Sequence, residues 1–436
     1  MARYCQDVIY AQIVAGHDVG LMYPGHFDRG PVRIKHKVYG ELRLYEVVNP
    51  LPVALSFGVA GPLDYMAPLE DLGPYQDVLA NFRPDVIHVH EIMGIHKEFF
   101  LLVKDLGIPM VYTTHDYYPI CMRCTFVTGC GSICQDGPSG IQCARCNARS
   151  GLTLRRSRIM QSPIFSIYKH NRVVNKLIKG VLCKKPGQTP LPVASVDDGW
   201  VGCNEKGYGR LIEYNQDILN TMDAIFANSD LAGSVYAHVV DPAIIYRVPI
   251  THAGISRAVS APARAKANVI HFAYLGGPKE YKGCGCLLEA LSMLRNDTGC
   301  YTLHLFGDGY PKIDAPNVEI HDTLSGDEVG QALAHMDAVI VPSICPETFG
   351  FVVLEALAAG AHVICSDSVG AKDLVDSDYV FMTGDASDLA KRMHDFLIHA
   401  EDMCRASLRQ DYPLDIAVHV QELAECYEKV RVRICR

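Results

Sequence analysis

The chain has 436 residues, 49% of them hydrophobic, and carries 40 Lys and Arg against 49 Asp and Glu, a formal net charge of −9. That length suffices for two α/β domains, and the acidic balance argues against nucleic acid as a general partner. A signal-peptide pattern and a run of about eighteen apolar residues are both absent, so a cytoplasmic chain without a membrane span is expected. Most of the 17 cysteines are scattered singly, which fits small buried thiols in a reducing compartment.

The first segment, Ala2–Ala15, reads as a helix ended by Gly16, followed by a strand over His17–Tyr23 that stops at Pro24-Gly25. Further strands are predicted at Leu42–Val48, Asp85–His90, Met110–Thr114, Ala224–Asn228 and Ile244–Val248. Helical stretches between them predict a parallel sheet. The strand DVIHVHE ends in His88, His90 and Glu91, and PMVYTTHD ends in His115-Asp116. Side chains at the carboxyl edge of a parallel sheet face the level where ligands bind. Taken alone, a histidine there is more often structural.

Cys121, Cys124, Cys130, Cys134, Cys143 and Cys146 follow in one short stretch. Cys121/Cys124 and Cys143/Cys146 are C-x-x-C pairs at a spacing similar to a zinc ribbon or knuckle. Structural zinc is the leading reading, with an iron–sulfur cluster, free thiols or disulfides as alternatives. A four-sulfur site is closed, which argues against a catalytic metal. From Arg145 to Lys185 there are six arginines, five lysines and no acid. Apolar residues from Ile164 to Val181 recur there at helical spacing, with Lys169, Arg172, Lys176 and Lys179 on much of the other face. A basic amphipathic helix of this kind suits an anionic membrane surface or a lipid-diphosphate acceptor. The alternative is a helix packed on the sheet with a solvated basic face. Residues Pro186–Gly209, rich in Pro and Gly, read as a loop.

Periodicity is lost around Tyr246–Arg264, the expected linker. The segment NVIHFAYLGGPKEYKGCGCLLEAL then gives a strand, a Gly-rich turn with Gly277 and Lys282-Gly283, and a helix. Strands are expected at Thr302–Phe306, Val318–His321 and Ala338–Val341, the last stopped by Pro342. A loop carrying Glu347 leads to a helix from about Gly350 to Ala359, and a strand over His362–Cys365 completes a βαβ unit. A further strand near Tyr379–Met382 and helices to the end close the chain. Backbone N–H groups of Phe349, Gly350, Phe351 and Val352 at the helix start suit a diphosphate. Glu355 is placed to accept hydrogen bonds from a ribose diol, and Glu347 to meet a hydroxyl-rich group attached to the diphosphate. An isolated E-x7-E is more simply a loop charge and a solvated helix charge.

Here that pair is embedded in PS-x3-E-TFG-x4-EALAAG-x-x-V, and the whole string, Pro342 to Val363, resembles the nucleotide-sugar site of retaining glycosyltransferases of the GT4 (group 1) family. The resemblance implies a GT-B fold: α/β, with two Rossmann-like domains whose parallel sheets face each other across a cleft. It divides the chain into an acceptor-side domain over 1–250, carrying the Cys-rich insertion 121–146 and the basic stretch 145–185, and a donor domain over 262–410. The tail, 411–436, is expected to cross back as a helix. His115 matches the family histidine beside the reacting sugar, with His90 and Glu91 as acceptor-side candidates. Lys282, in the family's K-G, implies a fixed charge against the departing diphosphate. Cys121, Cys134, Cys143 and Cys146 match a cysteine pattern common in the family, while the C-x-x-C pairs leave Cys124 and Cys130 as alternates. Implied too are a UDP- or GDP-sugar donor, a glycan or lipid-linked acceptor in polysaccharide or lipid-linked glycan assembly, retention of anomeric configuration and no catalytic metal. Two departures stand out: Gly277 occupies the place of a common family arginine, and the first helix begins almost at Met1, where the family usually has a strand and a Gly-rich turn. The rivals are a non-catalytic nucleotide-sugar-binding homologue and another GT-B enzyme such as an epimerase.

Overall fold

The computed structural model describes residues 2–134, 137–148, 152–163, 198–258, 269–294, 300–313, 315–326, 328–399, 412 and 415–434. The apolar face of the basic stretch, Ile164 to Val181, lies outside them. Two units divide the chain: Gln12–Phe226, Tyr236–Tyr246 and Ala424–Arg436 form one, and Met1–Ala11, Ala227–Val235 and Arg247–Leu423 form the other.

In the first unit the strands fall into two sheets rather than the single parallel sheet expected. Strands β1 (Gly20–Pro24), β2 (Arg33–Tyr39) and β3 (Leu42–Val48) make a three-stranded sheet of order β1-β3-β2. There β1 runs parallel to β3, while β2 pairs antiparallel with β3 from Arg33↔Val48 to Tyr39↔Leu42. Strands β4 (Ile87–Val89), β5 (Met110–Thr113), β6 (Ala224–Ala227) and β7 (Ile245–Arg247) form a second sheet in that order. Its central strands β5 and β6 are buried at every position, as strands covered on both faces must be.

A second difference is the helix Asp198–Leu219, which takes in much of the stretch read as a loop. One of its glycines, Gly207, serves close packing, while Gly202 and Gly209 have open space where a Cβ would sit. A Cβ at Gly207 would come within 2.9 Å of Pro62, and one at Gly140, on the neighbouring helix Gly140–Asn147, within 2.6 Å of the Glu205 carbonyl. Buried Tyr208, Leu211 and Ile218 then supply the apolar contact.

The other unit is built on one six-stranded sheet of order β10-β9-β8-β11-β12-β13, with every pair parallel. Its strands are β8 (Ile270–Tyr274), β9 (Tyr301–Phe306), β10 (Val318–His321), β11 (Ala338–Val341), β12 (His362–Ser366) and β13 (Val380–Phe381). Phe272, Leu303, Leu305, Ile340 and Ile364 from four adjacent strands share a core with Leu287, Leu389, Met393 and Phe396 from the covering helices. The strand order reverses between β8 and β11. That point, at the carboxyl ends of the strands, is where ligands bind in open α/β sheets.

Candidate functional site

Two loops leave the sheet at this reversal, one after β8 carrying Lys282 and one after β11 carrying Glu347. They are stitched together. The amides of Ile344 and Cys345 both donate to the Tyr281 carbonyl, at 3.0 and 3.1 Å. Gly283 makes the crossing possible: its φ is +79°, and a Cβ there would lie 1.7 Å from the Pro342 carbonyl oxygen. The glycine of Lys282-Gly283 is therefore a steric requirement of the site's backbone. Tyr274, at the end of β8, donates its hydroxyl to the Gly277 carbonyl at 2.9 Å, which holds the Gly-rich turn.

Lys282 Nζ lies 3.0 Å from Glu347 Oε1, and the Ser343 hydroxyl donates to the same oxygen. Burial disfavours the Lys282 ammonium, but the Glu347 carboxylate outweighs that effect and the pKa lies above the usual lysine value. The lysine is therefore a fixed cation. The Glu347 backbone is tied to the segment after β12: its amide donates to Ser368 at 2.9 Å, and its carbonyl accepts from Gly370 at 3.1 Å.

The helix Phe351–Ala358 begins directly after this loop. Gly350 precedes it with φ +96°, and no side chain caps the helix start. Uncapped first-turn amides on a macrodipole's positive end form a ready anion cradle. A Cβ at Gly350 would sit 3.0 Å from Val369 and 3.5 Å from Glu347 Oε2, so the Glu347 carboxylate lies beside the helix start. The Phe349 ring is buried and its carbonyl accepts from Ala371 at 2.7 Å, anchoring the loop.

Glu355, further along this helix, is held by a residue the sequence reading did not single out. His252 Nε2 lies 3.1 Å from Glu355 Oε1. The Gly254 amide donates to His252 Nδ1 at 3.1 Å, so the ring proton belongs on Nε2 and is donated to the carboxylate. The His252 ring also packs edge-on against Phe351. His252 stands alone in a segment without periodicity, so only the tertiary structure could pair it with Glu355.

In the unit holding β4 and β5, His88, His90 and His115 sit at the carboxyl ends of those strands. His90 Nδ1 and His115 Nε2 share a hydrogen bond of 2.9 Å. His88 stacks on His90 and is fixed by Thr113 and Tyr427, each at 2.7 Å. Burial and His90 hold the His115 pKa well below the usual histidine value, so its imidazole is neutral near pH 7. Behind it, burial and Asp116 push the Glu91 carboxyl well up, and Asp116 is raised by burial as well, so this pair keeps a proton. The acid at Glu91 is therefore a half-buried hydrogen-bonding group, accepting from the Met93 amide at 3.0 Å, rather than a free carboxylate.

Cys121, Cys134, Cys143 and Cys146 line one small cavity of about 20 Å³, with Phe126, Val127 and Asn147 among its other walls. Cys124 and Cys130 are engaged elsewhere. The Cys124 thiol donates to the Leu55 carbonyl at 3.5 Å, and Cys130 lies 3.0 Å from the Thr128 hydroxyl. Burial and the neighbouring thiols raise Cys121 to about 11 and Cys143 to about 12. Four thiols gathered around one cavity are a donor set for a soft or borderline cation.

Residues 268–399 match the family model for Glycosyl transferases group 1. The chain is 29% identical over 144 residues to the sulfoquinovosyl transferase SQD2 of Arabidopsis thaliana, a match covering 30% of this chain and 27% of that protein. The chain thus aligns with about a quarter of that curated relative's length. Two solved structures share the fold at low identity. One is the α,α-trehalose 6-phosphate synthase of Burkholderia multivorans, with TM-score 0.53, 10% identity and coverage of 98% of this chain and 93% of that one. The other is the E. coli trehalose-6-phosphate protein solved with UDP-2-fluoro glucose, with TM-score 0.51, 10% identity and coverage of 98% and 96%. The fold class is α/β of the GT-B kind.

Proposed function

We propose that this chain, whose segment 268–399 matches the group 1 glycosyltransferase family model, moves a sugar from a nucleotide diphosphate sugar to an acceptor hydroxyl with retention of anomeric configuration. The observation that carries the reading is the Lys282–Glu347–Ser343 cluster beside the uncapped start of the helix Phe351–Ala358. A diphosphate there would meet the amides of Phe349, Gly350, Phe351 and Val352, with the Lys282 ammonium neutralising the charge that grows as the diphosphate departs. Glu355, oriented by His252, would accept from the ribose hydroxyls, and Glu347 from those of the sugar. The turn at Gly277 would let the diphosphate approach the backbone closely.

In this mechanism Lys282 and the helix amides supply the electrostatic stabilisation that other transferases take from a metal. The departing oxygen would take the acceptor's proton on the same face of the sugar, which accounts for retention without a dedicated base. The neutral His115 imidazole would hydrogen-bond the sugar without adding a charge. The donor class proposed is a UDP- or GDP-sugar, and the acceptor class a glycan or lipid-linked hydroxyl. UDP-2-fluoro glucose is what the structurally similar E. coli protein was solved with. The four-thiol cavity would hold a structural zinc that closes the Cys-rich insertion, with no part in the transfer.

The test is to incubate the chain with UDP-, GDP-, ADP- and TDP-sugars and candidate acceptors, and to follow nucleoside diphosphate release together with product anomeric configuration by NMR. Transfer from one donor class with configuration retained is expected. Inversion would refute the retaining step. Binding of donor without any release would favour the non-catalytic homologue.

A further inference from the structure

Away from the strand-order reversal, β9 and β10 carry an arrangement that the transfer reaction does not use. Parallel register sets His304 opposite Glu319, and Phe306 opposite His321. Strand parity then sends His304, Glu319 and His321 to one face of the sheet. Their donor atoms converge: His304 Nδ1 is 2.9 Å from His321 Nε2 and 3.4 Å from Glu319 Oε2, and His321 Nε2 is 3.7 Å from that same oxygen.

We propose that His304, Glu319 and His321 form a binding site for a divalent transition ion of the zinc class. Zinc bonds to imidazole nitrogen and carboxylate oxygen of about 2.0–2.2 Å place tetrahedral ligand atoms roughly 3.3–3.6 Å apart. The three observed separations bracket that range, so an ion fits with little side-chain movement. Two imidazoles and one carboxylate suit zinc, and equally nickel or copper, better than the hard oxygen-seeking cations.

The surroundings support the ion. His271 Nδ1 lies 2.8 Å from His304 Nε2, so in the tautomer with its proton on Nε2, His304 donates to His271 and presents the Nδ1 lone pair to the metal. An outer hydrogen-bond partner of this kind is the usual support for a metal-bound histidine. His304 is buried while Glu319 and His321 are 58% and 37% exposed at the side chain. The site therefore opens to solvent, leaving a position for water as a fourth ligand. In that tautomer of His304, the hydrogen between His304 Nδ1 and His321 Nε2 is carried by His321 when no ion is bound. Binding needs only that His321 adopt its other tautomer, with the hydrogen on Nδ1. The effect would be mechanical: β10 is the edge strand, four residues long, and an ion held from both β9 and β10 would fasten it to the sheet.

Equilibrium dialysis against Zn²⁺ of the full chain, beside the variants Glu319→Gln and His321→Gln, tests the site. Both side chains are substantially exposed, and circular dichroism checks that each variant folds. The wild type is expected to hold one zinc equivalent more than either variant. Both should lose that equivalent, together with its share of the zinc-dependent rise in Tm. Loading with Co²⁺ separates this site from the cysteine cavity, because thiolate-to-cobalt charge-transfer bands come only from sulfur ligands and should stay unchanged in both variants. Equal zinc content and an equal Tm rise in all three proteins would overturn the proposal.

Discussion

At Gly283 a single missing methyl decides whether the site's backbone can close. A Cβ would sit 1.7 Å from the Pro342 carbonyl oxygen at a φ of +79°, and the left-handed conformation alone costs a non-glycine residue about 1–2 kcal/mol. Gly283→Ala is therefore expected to lower stability by more than about 2 kcal/mol, read from its urea midpoint. Gly277→Ala, with φ +65° and open space around the new carbon, should cost only the backbone part, roughly 1–2 kcal/mol. Equal effects of the two would contradict the steric role given to Gly283. The His252–Glu355 pair makes a separate prediction. Removing a hydrogen bond to a charged group costs about 1.5–3 kcal/mol, so His252→Ala should weaken nucleoside diphosphate binding roughly tenfold or more by calorimetry. The residues of the site differ in how they could be read in advance. Glu347, Gly350 and Glu355 stand in one local string and Lys282 in a separate K-G turn, and the family resemblance of those two short motifs brought them forward. His252 and the His304–Glu319–His321 set belong together only through tertiary packing and strand register, which no local spacing encodes.

Helices and strands of the unit with the six-stranded sheet were legible because most of the strands are short, largely apolar runs stopped by Gly, Pro or a polar turn. Ala338–Val341 and Val318–His321 fall where the pattern put them. The strand Arg33–Tyr39 was not foreseen. Its residues RIKHKVY are mostly exposed in a sheet-edge position, and such charged edges lack the apolar signal while protecting against unwanted pairing. The helix Asp198–Leu219 was hidden by its glycines, one of which, Gly207, serves close packing. One contact between helices also sets a pH dependence. His419 in the helix Ile416–Ile434 lies 2.7 Å from the Tyr4 hydroxyl in the helix Ala2–Val14, and burial lowers its pKa to about 4. The unfolded chain, with histidine near 6.5, takes up the proton first. The stability His419 contributes is therefore present above about pH 6.5 and lost as pH falls toward 4, a loss of up to about 3 kcal/mol. Urea midpoints across that window should fall with pH, and less steeply in His419→Gln. Parallel curves for the two proteins would exclude His419 as a source of the acid sensitivity.

On the scale of the whole chain, the GT-B class followed from the family resemblance that one long motif carries, while the alternation of elements pointed only to parallel α/β sheets. The separate three-stranded sheet could not, because pairing partners for Gly20–Pro24 and Arg33–Tyr39 depend on long-range choices. Among the described residues no helix is long and apolar enough to cross a membrane. The sequence excess of Lys and Arg between Arg145 and Lys185 still calls for a vesicle test. If it meets an anionic surface, co-sedimentation with phosphatidylserine vesicles should fall several-fold when Lys169, Arg172, Lys176 and Lys179 are changed to Gln, and unchanged sedimentation would remove that role. The central claim concerns the cradle formed by Lys282, Glu347 and the helix start, and calorimetric titration with UDP and GDP tests it most directly. The proposal predicts binding of one nucleotide to the wild type, weakened about 10- to 100-fold in Lys282→Ala through loss of a charge-assisted contact of roughly 1.5–3 kcal/mol. No binding of either nucleotide, or equal affinity in the variant, would contradict it.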